Sequence, residues 1–145
     1  MFLSELETLR RLRKHRADRA ERALGEAKRH QRALQLHVEQ AQQRLEDTRL
    51  QEAEEAAQLL SKHQGHVLSF QELKSWNTQE RSLSASTQRE EAQLQALQGQ
   101  QEQQVVHIDS MQKQASQYLR EVEKLSELSQ LLVQERHETI ACEQV

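Results

Sequence analysis

From Leu3 to Leu59, apolar residues can be threaded at alternating three- and four-residue spacing: Leu3, Leu6, Ala17, Ala20, Leu24, Ala27, Leu34, Val38, Ala41, Leu45 and Leu59. In that register 11 of 17 core positions are apolar, against 35% of the chain as a whole. A 3.5-residue period sustained this long is the pattern of a coiled coil. A second register runs through Leu73, Trp76, Leu83, Leu94, Leu97, Ile108, Met111, Ala115, Tyr118, Val122, Leu125 and Leu132, with 12 of 20 positions apolar. Both are interrupted: the first by Arg10, Arg13, Gln31, Thr48, Glu52 and Glu55, the second by Glu80, Thr87, Glu90, Gln101 and Gln104. Toward residue 132 the apolar face widens, because Leu119, Leu128 and Leu131 flank it. A wider face can meet more than one helix.

Composition agrees with the period. Among 145 residues there is no proline, three glycines and 24 glutamines, so neither the β-branched strands nor the turns of an α/β domain can be built. The few large apolar side chains cannot fill a globular interior, although they can fill a seam.

Lys62-His63-Gln64-Gly65-His66-Val67-Leu68 separates the two registers. Gly65 can end a helix in the left-handed conformation. Ser69-Phe70-Gln71-Glu72 reads as a capping box for the next helix, with Leu68 and Leu73 as its hydrophobic staple. Ser4-Glu5-Leu6-Glu7 repeats the capping device near the start. The expectation is an all-α chain of two long helices forming an antiparallel coiled-coil hairpin, a single elongated unit over 1–145. Helix 1 is placed at about 4–62, the turn at about 63–69 and helix 2 at about 70–142, roughly 90 Å and 110 Å long at ~1.5 Å per residue. Facing core residues should then have numbers adding to about 135, which sets Leu24 against Met111, Ala27 against Ile108, Val38 against Leu97 and Gln31 against Gln104. The Gln31/Gln104 layer could hydrogen-bond across the seam. Ser82–Thr87 is the weakest helical stretch by propensity, and a seam so rich in alanine predicts modest stability.

Charge is polarised. Residues 1–32 carry ten Lys/Arg against five Asp/Glu, and the remainder ten against eighteen. Charge also enters too early after Met1 for a secretory signal, and the longest aliphatic run, Leu131-Leu132-Val133, is far too short to span a membrane. A single cysteine, Cys142, excludes an internal disulfide, so a cytoplasmic or peripheral protein is expected.

No phosphate-binding loop, dinucleotide fingerprint or nucleophile elbow is present. His63 and His66 with Glu72 fall short of a structural zinc set, and Cys142 with His137 has no pocket to work in. We therefore expect no catalytic, cofactor or metal site and no small-molecule substrate. Two patches stand out as binding surfaces. At the terminal end, Leu6, Arg10, Arg13 and Arg16 approach Leu128 and Leu131; at the turn end, Leu68, Phe70, Leu73 and Trp76 gather. The basic run can be a solvated or interhelical charge face, or bind an acidic protein, nucleic acid or lipid. Nucleic acid is not expected, since interleaved stacking aromatics are missing. The turn aromatics can close the hairpin or bind another protein.

The Leu-spaced basic start (Leu6, Leu9, Leu12 with Arg10, Arg11, Arg13), the Gln/Glu/Arg-rich body, the short turn and the segment Ser69-Phe70-Gln71-Glu72-Leu73-Lys74-Ser75-Trp76 resemble the FliJ/YscO/HrpO-like stalk proteins of bacterial flagellar and virulence type III secretion. The resemblance covers nearly the whole chain. It implies a hairpin similar to the γ subunit of rotary ATPases, non-enzymatic, whose terminal end enters the hexameric export ATPase. It also implies reach toward the export gate protein, in some cases binding of secretion chaperones, and a place at the inner-membrane secretion apparatus. A generic oligomeric coiled-coil scaffold and a basic-helix nucleic-acid or membrane-surface binder are the rival readings. As an isolated species, a monomer or weak dimer is expected.

Overall fold

The computed structural model describes residues 2–144. It contains two helices, α1 (Phe2–His63) and α2 (Phe70–Glu143), and no strand among the described residues. The chain is thus an all-α antiparallel coiled-coil hairpin. Its cross-helix partners divide into two compact units, one formed by 2–30 with 104–144, the other by 31–103.

The turn is decided locally. Gly65 takes φ +77°, where a side chain would be strained although no atom stands within 4 Å of the place a Cβ would occupy. The His66 amide donates to the His63 carbonyl at 3.3 Å, closing the end of α1. The hydroxyl of Ser69 then accepts the Glu72 amide at 3.2 Å, and its carbonyl accepts the Leu73 amide at 3.0 Å, so Ser69 caps α2 as its sequence context predicts. Gly65→Ala should lower stability by about 1 kcal/mol through backbone strain alone. Chemical denaturation monitored by circular dichroism would measure this, and an unchanged midpoint would remove the strain argument.

Ser4 corrects an expectation. It lies inside α1, where its carbonyl accepts the Thr8 hydroxyl at 3.0 Å, instead of preceding the helix as a cap. Leu3 is already half-buried one residue earlier, so packing carries the helix past the local capping signal.

The first register describes the buried face of α1 completely. Every one of its 17 positions, polar ones included, is at least partly shielded, and Leu6, Ala17, Ala27, Leu34, Val38, Ala41 and Leu45 are buried. On α2 the register holds from Leu83 to Leu132, with Thr87, Ile108 and Leu125 buried. It departs nearer the turn, where Leu73 and Glu80 are exposed. The seam is thin: no large side chain is wholly enclosed among the described residues.

Most of the polar interruptions find partners. In the unit of 31–103, the buried Thr87 hydroxyl donates to the Glu52 carboxylate, joining two residues that interrupt opposite registers. Thr87 is the last residue of the Ser82–Thr87 stretch, which is helical throughout despite its weak propensity. Tertiary contact outweighs propensity there. Arg44 and Arg49 reach Glu90 and Glu91 at 3.8 and 2.9 Å. In the other unit, Gln104 uses its amide on the Ala27 carbonyl at 3.1 Å, so the polar layer expected around it is satisfied by backbone. The methyl side chain of Ala27 leaves that carbonyl accessible to a side chain on α2.

Candidate functional site

At the terminal end, Leu6 is buried in the seam. Arg10 and Arg13 are half-buried alongside it, Arg10 lying 3.7 Å from Glu7. Arg16 is held more firmly. Its guanidinium pairs with Glu121 of α2, its Cζ lies 4.1 Å over the Tyr118 ring, and its Nε is buried without an acceptor. Arg16 is therefore an interhelical clamp as well as a member of the basic face. Arg11, Lys14, Arg19 and Arg22 on the same helix stay exposed, and none of them forms an ion pair among the described residues. Leu128 and Leu131 are both exposed.

The pair is half-exposed, so screening limits its worth. A double-mutant cycle between Arg16→Ala and Glu121→Ala should give a coupling of about 1 kcal/mol. Tyr118→Leu should cost roughly a further 0.5–1 kcal/mol by removing the cation–π contact. Additive single mutants would show that the clamp carries no energy.

At the turn end, His63 stacks on Trp76 with ring centroids 4.9 Å apart and planes 24° from parallel. The indole N–H donates to Glu80 at 2.8 Å. Trp76 thus closes the hairpin from one side and is half-buried, as is Leu68. Phe70 is left 81% exposed and Leu73 53% exposed, and Val67 is fully exposed. Phe70, Leu73 and Trp76 line one shallow cleft with Lys74, Asn77 and Glu80. The four turn residues singled out from the sequence therefore divide: Trp76 closes the hairpin and Leu68 is half-buried, while Phe70 and Leu73 remain available.

No group of three or more His, Cys, Asp or Glu side chains among the described residues is arranged to hold a metal ion. No described helix is long and apolar enough to cross a membrane.

A two-helix seam with exposed apolar and charged groups at its turn and at its terminal end defines a class of protein that works by contact with other proteins. Comparison with protein-family models makes the class particular: residues 6–143 match the model described as type III secretion protein YscO. The chain belongs to the YscO family and is a component of type III secretion. No curated protein and no solved structure gave a match.

Proposed function

We propose that this protein is the non-enzymatic central stalk of a type III secretion apparatus, linking the hexameric export ATPase to the export gate at the cytoplasmic side of the inner membrane. The observation that carries the reading is the match to the YscO family over residues 6–143, joined to a hairpin with distinct adhesive groups at its terminal end and its turn. The terminal patch of Arg10, Arg13, Arg16, Leu128 and Leu131, with Leu6 in the seam supporting it from beneath, is assigned to the ATPase ring. Unequal contacts between this charged end and successive ring subunits would bias their nucleotide states and stimulate hydrolysis. The turn patch of Leu68, Phe70, Leu73 and Trp76 is assigned to the gate protein or to free secretion chaperones.

The test is co-purification with the ATPase of the same system and its rate of ATP hydrolysis with and without the protein. Stimulation is expected, and charge reversal at Arg10, Arg13 and Arg16 should remove it together with secretion. If the ATPase neither binds nor responds, and the reversed variant secretes normally, the stalk reading is wrong.

A further inference from the structure

The Arg16–Glu121 ion pair identifies one edge of the terminal unit, because it joins the positions that flank the seam on the same side of both helices. One heptad further toward the terminal end, the same positions are occupied by Leu9 and Leu128, 38% and 42% exposed. The positions just outside them, on the same edge, hold Leu12 and Leu131, 65% and 58% exposed. Four leucines thus form one apolar face beside a seam already closed by Leu6 and Leu125. The opposite edge has no such continuity. Glu7, Lys14 and Glu21 occupy its α1 positions, and on α2 Leu119 and Val133 are separated by Ser126.

The charges around this face are ordered. Seven residues to either side of Leu12 lie Glu5 and Arg19; seven to either side of Leu131 lie Glu138 and Lys124. Because the helices are antiparallel, both acids fall toward the terminal end and both bases toward the interior of the unit. None of these four charges forms an ion pair among the described residues.

We infer that this edge is a self-association surface on which a second copy of the chain packs face to face with its direction reversed. A reversed copy lays the acidic margin of each face over the basic margin of the other and buries the leucines between them, whereas a copy in the same direction sets acid on acid. The four leucines with the aliphatic stems around them can remove on the order of 1,000 Å² of surface between two copies, the lower end for specific association. The result is a concentration-dependent dimer. Leu128 and Leu131 also belong to the terminal patch assigned to the ATPase, so the dimer keeps that patch covered until a partner competes for it. That consequence rests on the stalk reading; the dimer does not.

Sedimentation equilibrium of the full chain from about 1 to 200 μM tests the surface. Dimer is expected to accumulate across this range. The double variant Leu12→Glu, Leu131→Glu, whose sites are exposed in the single chain, should raise the dissociation constant at least about tenfold with unchanged helical content. Leu119→Glu on the opposite edge should leave it unaltered. Arg19→Glu with Lys124→Glu should weaken the dimer, and adding Glu5→Lys with Glu138→Lys in the same chain should restore it. Spin labels on the native Cys142 report direction: about 35 Å between labels for reversed copies, against under about 25 Å for copies in the same direction. A chain monomeric throughout the range, a dimer indifferent to the leucine variants, or a short label distance would each overturn the proposal. ATPase stimulation by the Arg19→Glu, Lys124→Glu variant, whose sites lie outside the patch assigned to the ATPase, would leave the stalk reading standing while the dimer proposal is judged on its own.

Discussion

Ala41→Glu should destabilise the hairpin by about 3 kcal/mol or more and lower its melting temperature by roughly 10 °C. Ala41 is the one core residue with no exposed surface, on the stripe that also buries Leu34, Val38 and Leu45. Its methyl group allows the helices to approach so closely that a carboxylate there can neither reach water nor be accommodated without separating them. The control is Ala33→Glu, the same replacement on an exposed face of the same helix, which should stay within about 0.5 kcal/mol. Both substitutions carry the same change in helix propensity, so the difference reports burial alone. Thermal melts followed by circular dichroism decide it. Equal melting temperatures would mean that the seam contributes little and that α1 is held by propensity.

The second large effect concerns the turn. Phe70→Asp with Leu73→Asp should abolish binding of the gate or chaperone, weakening it by at least about a hundredfold, and should stop secretion while leaving ATPase stimulation in place. Both side chains are mostly exposed, so little packing is lost. Both also lie in the first turn of α2, where added carboxylates favour the positive end of the helix dipole. The variant should therefore fold at least as well as the parent. Pull-down with the gate's cytoplasmic domain and a secretion assay measure the effect. Normal secretion by a folded variant would remove these two residues from the binding surface.

Much of the molecule is legible in its amino-acid order. Gly65 and Ser69 act on their immediate neighbours, so the helix break could be placed from a few residues. The seam on α1 could be listed position by position, because a 3.5-residue period and burial are two views of one geometry. Even Glu52 and Thr87, noted as flaws in their registers, lie on the buried side, and each supplies what the other lacks. The reading failed where a local signal met a distant partner. Ser4 carries a cap motif, yet the helix runs past it to Phe2, with Leu3 half-buried. Leu73 fits the register, yet it is exposed while Trp76, three residues on, stacks on His63. The register sets Gln104 against Gln31, yet its amide donates to the backbone carbonyl of the small residue Ala27.

At the two candidate sites the same division holds. The sequence could gather the residues of each patch, but their availability depends on what the other helix presents. Arg16 flanks the seam on which Arg10 and Arg13 sit, and it is held because Glu121 and Tyr118 stand opposite it. The break at Gly65–Ser69 and the buried stripe of α1 are written in the amino-acid order, since both follow from hydrogen bonding and periodicity within a few turns. Which charges are already paired, which aromatic closes the turn and which leucines stay uncovered are settled by tertiary packing. Those outcomes depend on the stagger and rotation of one helix against the other, which contacts between residues far apart in the chain determine together.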